Sequence, residues 1–302
     1  MSTAATEVTT APAEKVAPTA AAVAKKRLTS PWASLVAIAI AALWTLPTFG
    51  LAITSIRPTR DIQSSGWWTW FTNPAFTLDH YRAVLQTQGS SALGNYIVNS
   101  FVIVFPSVII PLVLASLAAY AFAWIKFPGR EVLFIAVFAL QIVPIQVALL
   151  PLLKLYVQTG IAGTYWTVWL SHAAFALPLA IFLLHNFMRE VPASLLEAAR
   201  VDGAGHVQIF FRVLLPLLTP ALAAFGIFQF LWVWNDLLVG LTFAGNERAP
   251  LTVAVANLAG TRGTAWHLLS AGAFVSIIVP LIVFVSLQRY FVRGLLAGGL
   301  KG

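Results

Sequence analysis

The chain has 302 residues, of which 59% are hydrophobic and only 9% charged, whereas soluble domains carry about 45–50% apolar and about 25% charged residues. So few charges cannot cover a water-facing globule, and so much apolar sequence excludes general disorder. The net charge of +8 is spread over the ends of apolar runs rather than gathered in a patch, which excludes a nucleic-acid surface; with no cysteine, disulfides and thiolate metal sites are excluded too.

In chain order, residues 1–31 are rich in Ala, Thr and Pro and carry Lys25, Lys26 and Arg27 before the first apolar run, the composition of a flexible tail. A cleaved signal peptide would have an apolar stretch of about 7–15 residues with small residues close behind. The run 32–56 is of spanning length and ends in Arg57 and Pro58, so a retained first helix is expected. Residues 57–94 are polar and turn-rich. Their cluster of Trp67, Trp68, Trp70 and Phe71 suits either the membrane–water boundary or a small core under the loop.

Five more apolar stretches follow, near 96–123, 132–156, 166–187, 214–240 and 268–288, all long enough to cross a bilayer. Each contains proline: Pro106 and Pro111, Pro144 and Pro151, Pro178, Pro216 and Pro220, and Pro280; Pro47 does the same in the first run. Proline removes a backbone bond and bends a helix, which membranes tolerate where neighbours satisfy the freed carbonyl. Bent helices leave room for a pathway, or are the ordinary irregularity of bundles. The expected fold is all-α: a polytopic bundle of six transmembrane helices. Twelve of the 18 basic residues then fall on the side of the N-terminus and six on the other, which puts both termini in the cytoplasm by the positive-inside rule.

The loop 188–215 between the fourth and fifth spans stands out. Ser194 and Glu197 have capping-box spacing, Gly203 suits a left-handed helix stop, and a second helix is expected from His206 toward Leu215. Leu195, Leu196, Val201, Ile209 and Phe210 need cover, either from a partner or from the chain's own helices.

Glu197, Ala198, Ala199, then Gly203, Val213, Leu215 and Pro216 reproduce the spacing of the EAA loop, and on it the chain resembles the permease subunits of ABC importers. Val213 stands where the family usually has isoleucine. Asn99 with Ser100, LAAYA at 117–121, FPGR at 127–130, FALP at 175–178, Trp234 with Asn235 and Asp236, and the ending RGLLAGGLKG at 293–302 resemble carbohydrate-uptake permeases of the smaller maltose-subunit type, over residues 32 to 302. PTRD at 58–61 and SLQRYF at 286–291 are similar to α-glucoside members.

The resemblance implies a type I importer permease fold in a bacterial inner membrane. Residues 1–31 would be a cytoplasmic tail and 32–302 the permease domain, with the coupling loop 188–215 and a C-terminal tail 289–302 reaching toward the ATPases. It implies that Glu197, Ala198, Ala199, Asp202 and Gly203 dock on a pair of cytoplasmic ATPase subunits. It also implies a homologous second permease, an extracytoplasmic sugar-binding protein and a sugar substrate within membrane lipid. ATP and Mg would sit on the partner ATPase and no cofactor on this chain, where the GxxxxGK[ST] pattern is absent; no enzyme activity is expected of it. On the residues alone, Gln141, Gln146, Gln229, Trp232, Asn235 and Asp236 are candidates for a substrate path, because polar groups in apolar spans often line cavities; interhelical hydrogen bonding and boundary anchoring are the alternatives. His80, His172, His185, His206 and His267 show no HExxH spacing, so no metal site is expected. A secondary transporter driven by an ion gradient is the competing class; it calls for mid-membrane charges and internal repeats.

Overall fold

The computed structural model describes residues 31–86, 93–258, 260 and 265–299, with 289–299 as backbone only. Most of the N-terminal tail and the last residues of the C-terminal tail therefore lie outside the described residues, as do the side chains of the rest of that tail. The chain divides into two compact units, 1–51 and 52–302.

The described residues are almost entirely helical. The first long helix, α1 (Pro31–Ile56), carries no charged residue; at 1.5 Å per residue it is about 39 Å long, enough for the ~30 Å hydrocarbon layer. The second unit holds α2 (Leu93–Trp124), α3 (Arg130–Ala139), α4 (Ile145–Gln158), α5 (Tyr165–Glu190), α6 (Ala193–Val201), α7 (Thr219–Trp234) and α8 (Trp266–Gly299). Four helices, α1, α2, α5 and α8, are long and apolar enough to cross a bilayer unaided. The expected third and fifth spans are not single helices. Residues 130–158 bend by 101° at Val143 and Pro144, and 206–234 bend by 71° at Leu218; taken as one crossing each they bring the number to six. The fifth stretch also stops short, since α7 ends at Trp234 and a separate helix, Leu238–Phe243, follows.

The long helices α2 and α5 pack side by side in parallel, Asn99 beside Tyr165 at one end and Tyr120 in one cluster with Leu184 and Met188 at the other. Ala115, Ala119, Ala176 and Ala180 form part of this core; side chains that small let backbones approach closely, the usual way helices adhere in lipid.

Prolines explain much of the remaining geometry. A proline at position i leaves the carbonyl of i−4 without its helical donor. In α2, Pro106 frees the carbonyl of Val102, and the indole Nε1 of Trp169 on α5 donates to it at 3.0 Å. Pro111 frees that of Ser107, which accepts Nε2 of Gln229 on α7 at 3.3 Å. In α8, Pro280 frees Ser276, whose carbonyl accepts Nε1 of Trp234 at 3.2 Å. Three neighbours thus replace three missing backbone donors, and both helices continue unbroken through their prolines. At Pro144 no helix continues: the chain turns there, with Val143 N–H bonded back to the Leu140 carbonyl.

At the end of the second unit where α2 begins, Asn99 Nδ2 donates to the carbonyls of Glu247 (2.9 Å) and Ala249 (3.1 Å), and Ser100 Oγ accepts the N–H of Leu251 (2.8 Å). In the segment between α1 and α2, Arg57 is buried and its guanidinium donates to the carbonyls of Gly66 and Asp61 and to the hydroxyls of Ser65 and Thr69. That knot orders the aromatic cluster. Trp70 packs edge-on against Phe71 and Phe76, while Trp68 and Phe71 keep most of their surface exposed, so the cluster combines a small local core with an outward aromatic face.

Candidate functional site

The loop between α5 and α7 folds as a knuckle. Pro192 ends the preceding helix, and α6 begins at Ala193 with Pro192 as its N-cap and no side-chain cap. This corrects the expected capping box: Ser194 sits inside the first turn, so its hydroxyl is not at the cap. The far end of α6 follows the sequence. Gly203 has φ +82°, its N–H bonds the carbonyl of Arg200 at 3.0 Å, and that of Ala204 bonds Ala199 at 2.9 Å; these two bonds make a Schellman stop. The chain then re-enters a helix at His206, where Gln208 Oε1 accepts the Gly205 N–H at 3.2 Å. It continues through a π-helical turn, Ile209–Leu214, to Leu217.

The apolar residues of this knuckle divide in two. Leu196 (1% exposed), Ile209, Phe210 and Leu214 pack inward with Tyr120, Leu184 and Met188. Leu195, Val201 (87% exposed), Val207 and Phe211 face outward. Glu197, Ala198, Asp202 and Gly203 are exposed as well, and Ala199 is half-buried. The inward half is pinned by a bond that sequence reading did not find: Tyr120 Oη lies 2.7 Å from Nδ1 of His206, with the Tyr120 ring edge-on to Phe210. Tyr120 belongs to the LAAYA stretch, so that stretch meets the bundle side of the knuckle.

A cavity of about 550 Å³ opens beside the 101° elbow between α3 and α4. Gln141 and Gln146 flank the elbow; Phe175, Ala176 and Pro178, from the FALP stretch, come from α5. Phe225, Phe228, Gln229 and Trp232 of α7 complete the wall, at the i, i+3, i+4, i+7 spacing that puts them on one helix face. Four of the six path candidates therefore converge on one cavity. Trp232 meets His172 edge-on at 5.5 Å between ring centroids, and Gln229, 1% exposed, is held by the Ser107 carbonyl. Ala174 also lines the cavity, and its carbonyl loses its i+4 donor to Pro178.

Asn235 and Asp236 are not among the residues lining this cavity. Asn235 Nδ2 bonds the Leu231 carbonyl at 2.7 Å and closes its own helix end. Asp236 Oδ2 accepts the N–H groups of Val239 (2.9 Å) and Gly240 (3.2 Å), capping Leu238–Phe243, with His172 Nε2 3.8 Å away. Among the described residues, no three His, Asp or Glu side chains gather as metal ligands.

Residues 111–296 match the model of the family described as "Binding-protein-dependent transport system inner membrane component". The chain is 52% identical over 270 residues to the osmoprotective compounds uptake permease protein GgtD of Synechocystis sp., covering 87% of this chain and 90% of that one. It is also 52% identical over 238 residues to the alpha-glucoside transport system permease protein AglG of Rhizobium meliloti, covering 76% of this chain and 62% of that longer relative. In fold it is similar to a chain of a bacterial ABC transporter involved in the import of the acidic polysaccharide alginate, with a TM-score of 0.73 at 22% identity over 88% of this chain and 98% of that one. Spans, elbows and knuckle thus belong to a recognised architecture, and the chain is a member of the family of binding-protein-dependent transport system inner membrane components, a membrane transport subunit rather than an enzyme.

Proposed function

We propose that the chain is one permease subunit of an ATP-driven, binding-protein-dependent sugar importer, with α-glucosides or related oligosaccharides as its substrate class. It crosses the inner membrane six times with both termini in the cytoplasm, pairs with a homologous second permease, and receives sugar from an extracytoplasmic binding protein. Two ATPase subunits supply ATP, Mg and the hydrolytic chemistry. Glu197, Ala198, Ala199, Asp202 and Gly203 form the face that those ATPases grip, and movement of the knuckle passes into α5 and α7. Gln141, Gln146, Gln229 and Trp232 lie along the translocation path, with Asn235 and Asp236 holding the turn that closes α7.

The observation that carries this reading is the division of the knuckle. One half is cemented to the bundle through Leu196, Phe210 and the Tyr120–His206 bond, while the other leaves Leu195, Val201 and Val207 uncovered beside Glu197 and Ala198. A lever needs both a fixed root and an open face. The name of one relative, the alpha-glucoside transport system permease protein AglG, supports the solute class, and the cation excess on the N-terminal side supports the orientation.

The chain purified from its native membrane is expected to bring down an ATPase and a second permease. A like-charge clash at an interface costs several kcal/mol and each 1.4 kcal/mol is tenfold, so Glu197→Lys is expected to lower ATP-driven uptake by at least ~10-fold, with membrane insertion unchanged. Uptake by the isolated chain in vesicles, driven by an ion gradient without ATP, would overturn the proposal in favour of a secondary transporter.

A further inference from the structure

The cavity at the α3–α4 elbow has a chemistry of its own. Its volume of about 550 Å³ lies within the ~300–1,000 Å³ of small-molecule sites, which combine aromatic walls with a few placed polar groups. Here the walls are Phe175, Phe228 and Trp232, and the polar groups are three amides, Gln141, Gln146 and Gln229. Amides offer donors and acceptors together, which suits hydroxyls, since a hydroxyl also does both. Among the described residues, none that lines the cavity is charged. A carboxylate brought there would be stripped of water with no cation to pair it, and that is strongly unfavourable.

Two further features point to a ligand rather than to packing. Gln229 spends one N–H on the Ser107 carbonyl and keeps its oxygen and second N–H. Ala174 lines the cavity too; the helical donor to its carbonyl is missing at Pro178, and unlike the freed carbonyls of Val102, Ser107 and Ser276 it has no side-chain donor among the described residues. Broken helices beside a binding cavity are also the way secondary transporters build substrate sites.

We propose that this chain itself holds a binding site for an uncharged sugar ring, with Trp232 as the stacking face, Gln141, Gln146 and Gln229 reading hydroxyls, and acidic sugars excluded by the lack of any cation. This deepens the importer reading and rests on it.

The absence of cysteine allows a direct test in the assembled importer, resting or vanadate-trapped, without its binding protein. Gln146→Cys and, as a second position, Gln141→Cys are labelled with a small hydrophilic thiol reagent, with or without millimolar maltose or digalacturonate. Occupancy slows labelling by 1 + [L]/Kd, so about fivefold protection is expected at four times Kd. Maltose should protect in at least one of the two states and digalacturonate in neither. Arg82→Cys, at a charged side chain 68% exposed between the first two spans and outside the cavity lining, should label at the same rate throughout. Equal protection by both sugars would overturn the neutral-sugar selectivity. Thiols at 146 and 141 that maltose never protects, or that the second permease keeps from reagent in both states, in an importer that still takes up sugar with ATP, would overturn the site while leaving the importer reading intact. Loss of the ATPase companions or of ATP dependence would instead strike the importer reading itself.

Discussion

The helix α2 and the segment from α3 to α4 are both apolar and both carry two prolines, yet one continues unbroken for 32 residues and the other folds at 101°. The difference lies in their neighbours. In α2 each freed carbonyl meets a donor from another helix, Trp169 in one case and Gln229 in the other. At Pro144 there is no such donor, and the chain satisfies Leu140 with a turn. In these two segments the break falls where the freed carbonyl lacks a donor from a neighbouring helix; α5 nevertheless runs unbroken through Pro178 without one among the described residues, so a missing donor permits a break without compelling it. The elbow that results is where the cavity opens.

This contrast can be pressed hardest at Trp234, buried at 2% exposure. Trp234→Phe removes the only side-chain donor to Ser276 among the described residues, at a half-buried site, and trims the core around a buried ring, a combination expected to cost about 0.5–3 kcal/mol. Thermal unfolding in detergent should show the largest loss of the series, and Pro280→Ala in the same chain should recover part of it by restoring a backbone N–H. A smaller effect is expected from Gln229→Leu. Interhelical hydrogen bonds in membranes average about 0.6 kcal/mol with a maximum near ~1.7, and the loss should shrink when Pro111→Ala is added. A double-mutant cycle measures that coupling; strict additivity would break the link between amide and proline. Trp169→Phe should cost least, below about 1 kcal/mol, because its bond to Val102 lies at an exposed position.

Reading by periodicity and spacing found α1, α2 and α5 to within a few residues, because a spanning run needs only length and apolarity, but it ended the last span at 288, whereas the helix α8 continues to Gly299. It also found the Gly203 stop and the helix restarting at His206, since both are local backbone chemistry. It misplaced the start of α6: the spacing of Ser194 and Glu197 fits a capping box, but Pro192 already fixes the N-cap position and pushes Ser194 into the turn. The elbows at Pro144 and Leu218 were not legible beside Pro47, Pro106, Pro111, Pro151, Pro178 and Pro280, which lie inside continuous helices, because whether a proline breaks its helix depends on packing from elements far away in sequence. The Tyr120–His206 bond joins residues 86 apart and the Asn99–Glu247 bond residues 148 apart, separations that carry no local signal. Of the path candidates, the amides and Trp232 converge because three helices bring them together; Asn235 and Asp236 looked alike in sequence but serve the turn after α7.

The uncharged lining of the cavity has an electrical consequence. Carrying one elementary charge across a membrane is worth about 2.3 kcal/mol per 100 mV. A neutral solute bound between amides and rings carries no such burden, so on the proposed function uptake through this cavity would be blind to the voltage across the cell envelope, and would go on after the potential collapses for as long as nucleotide lasts.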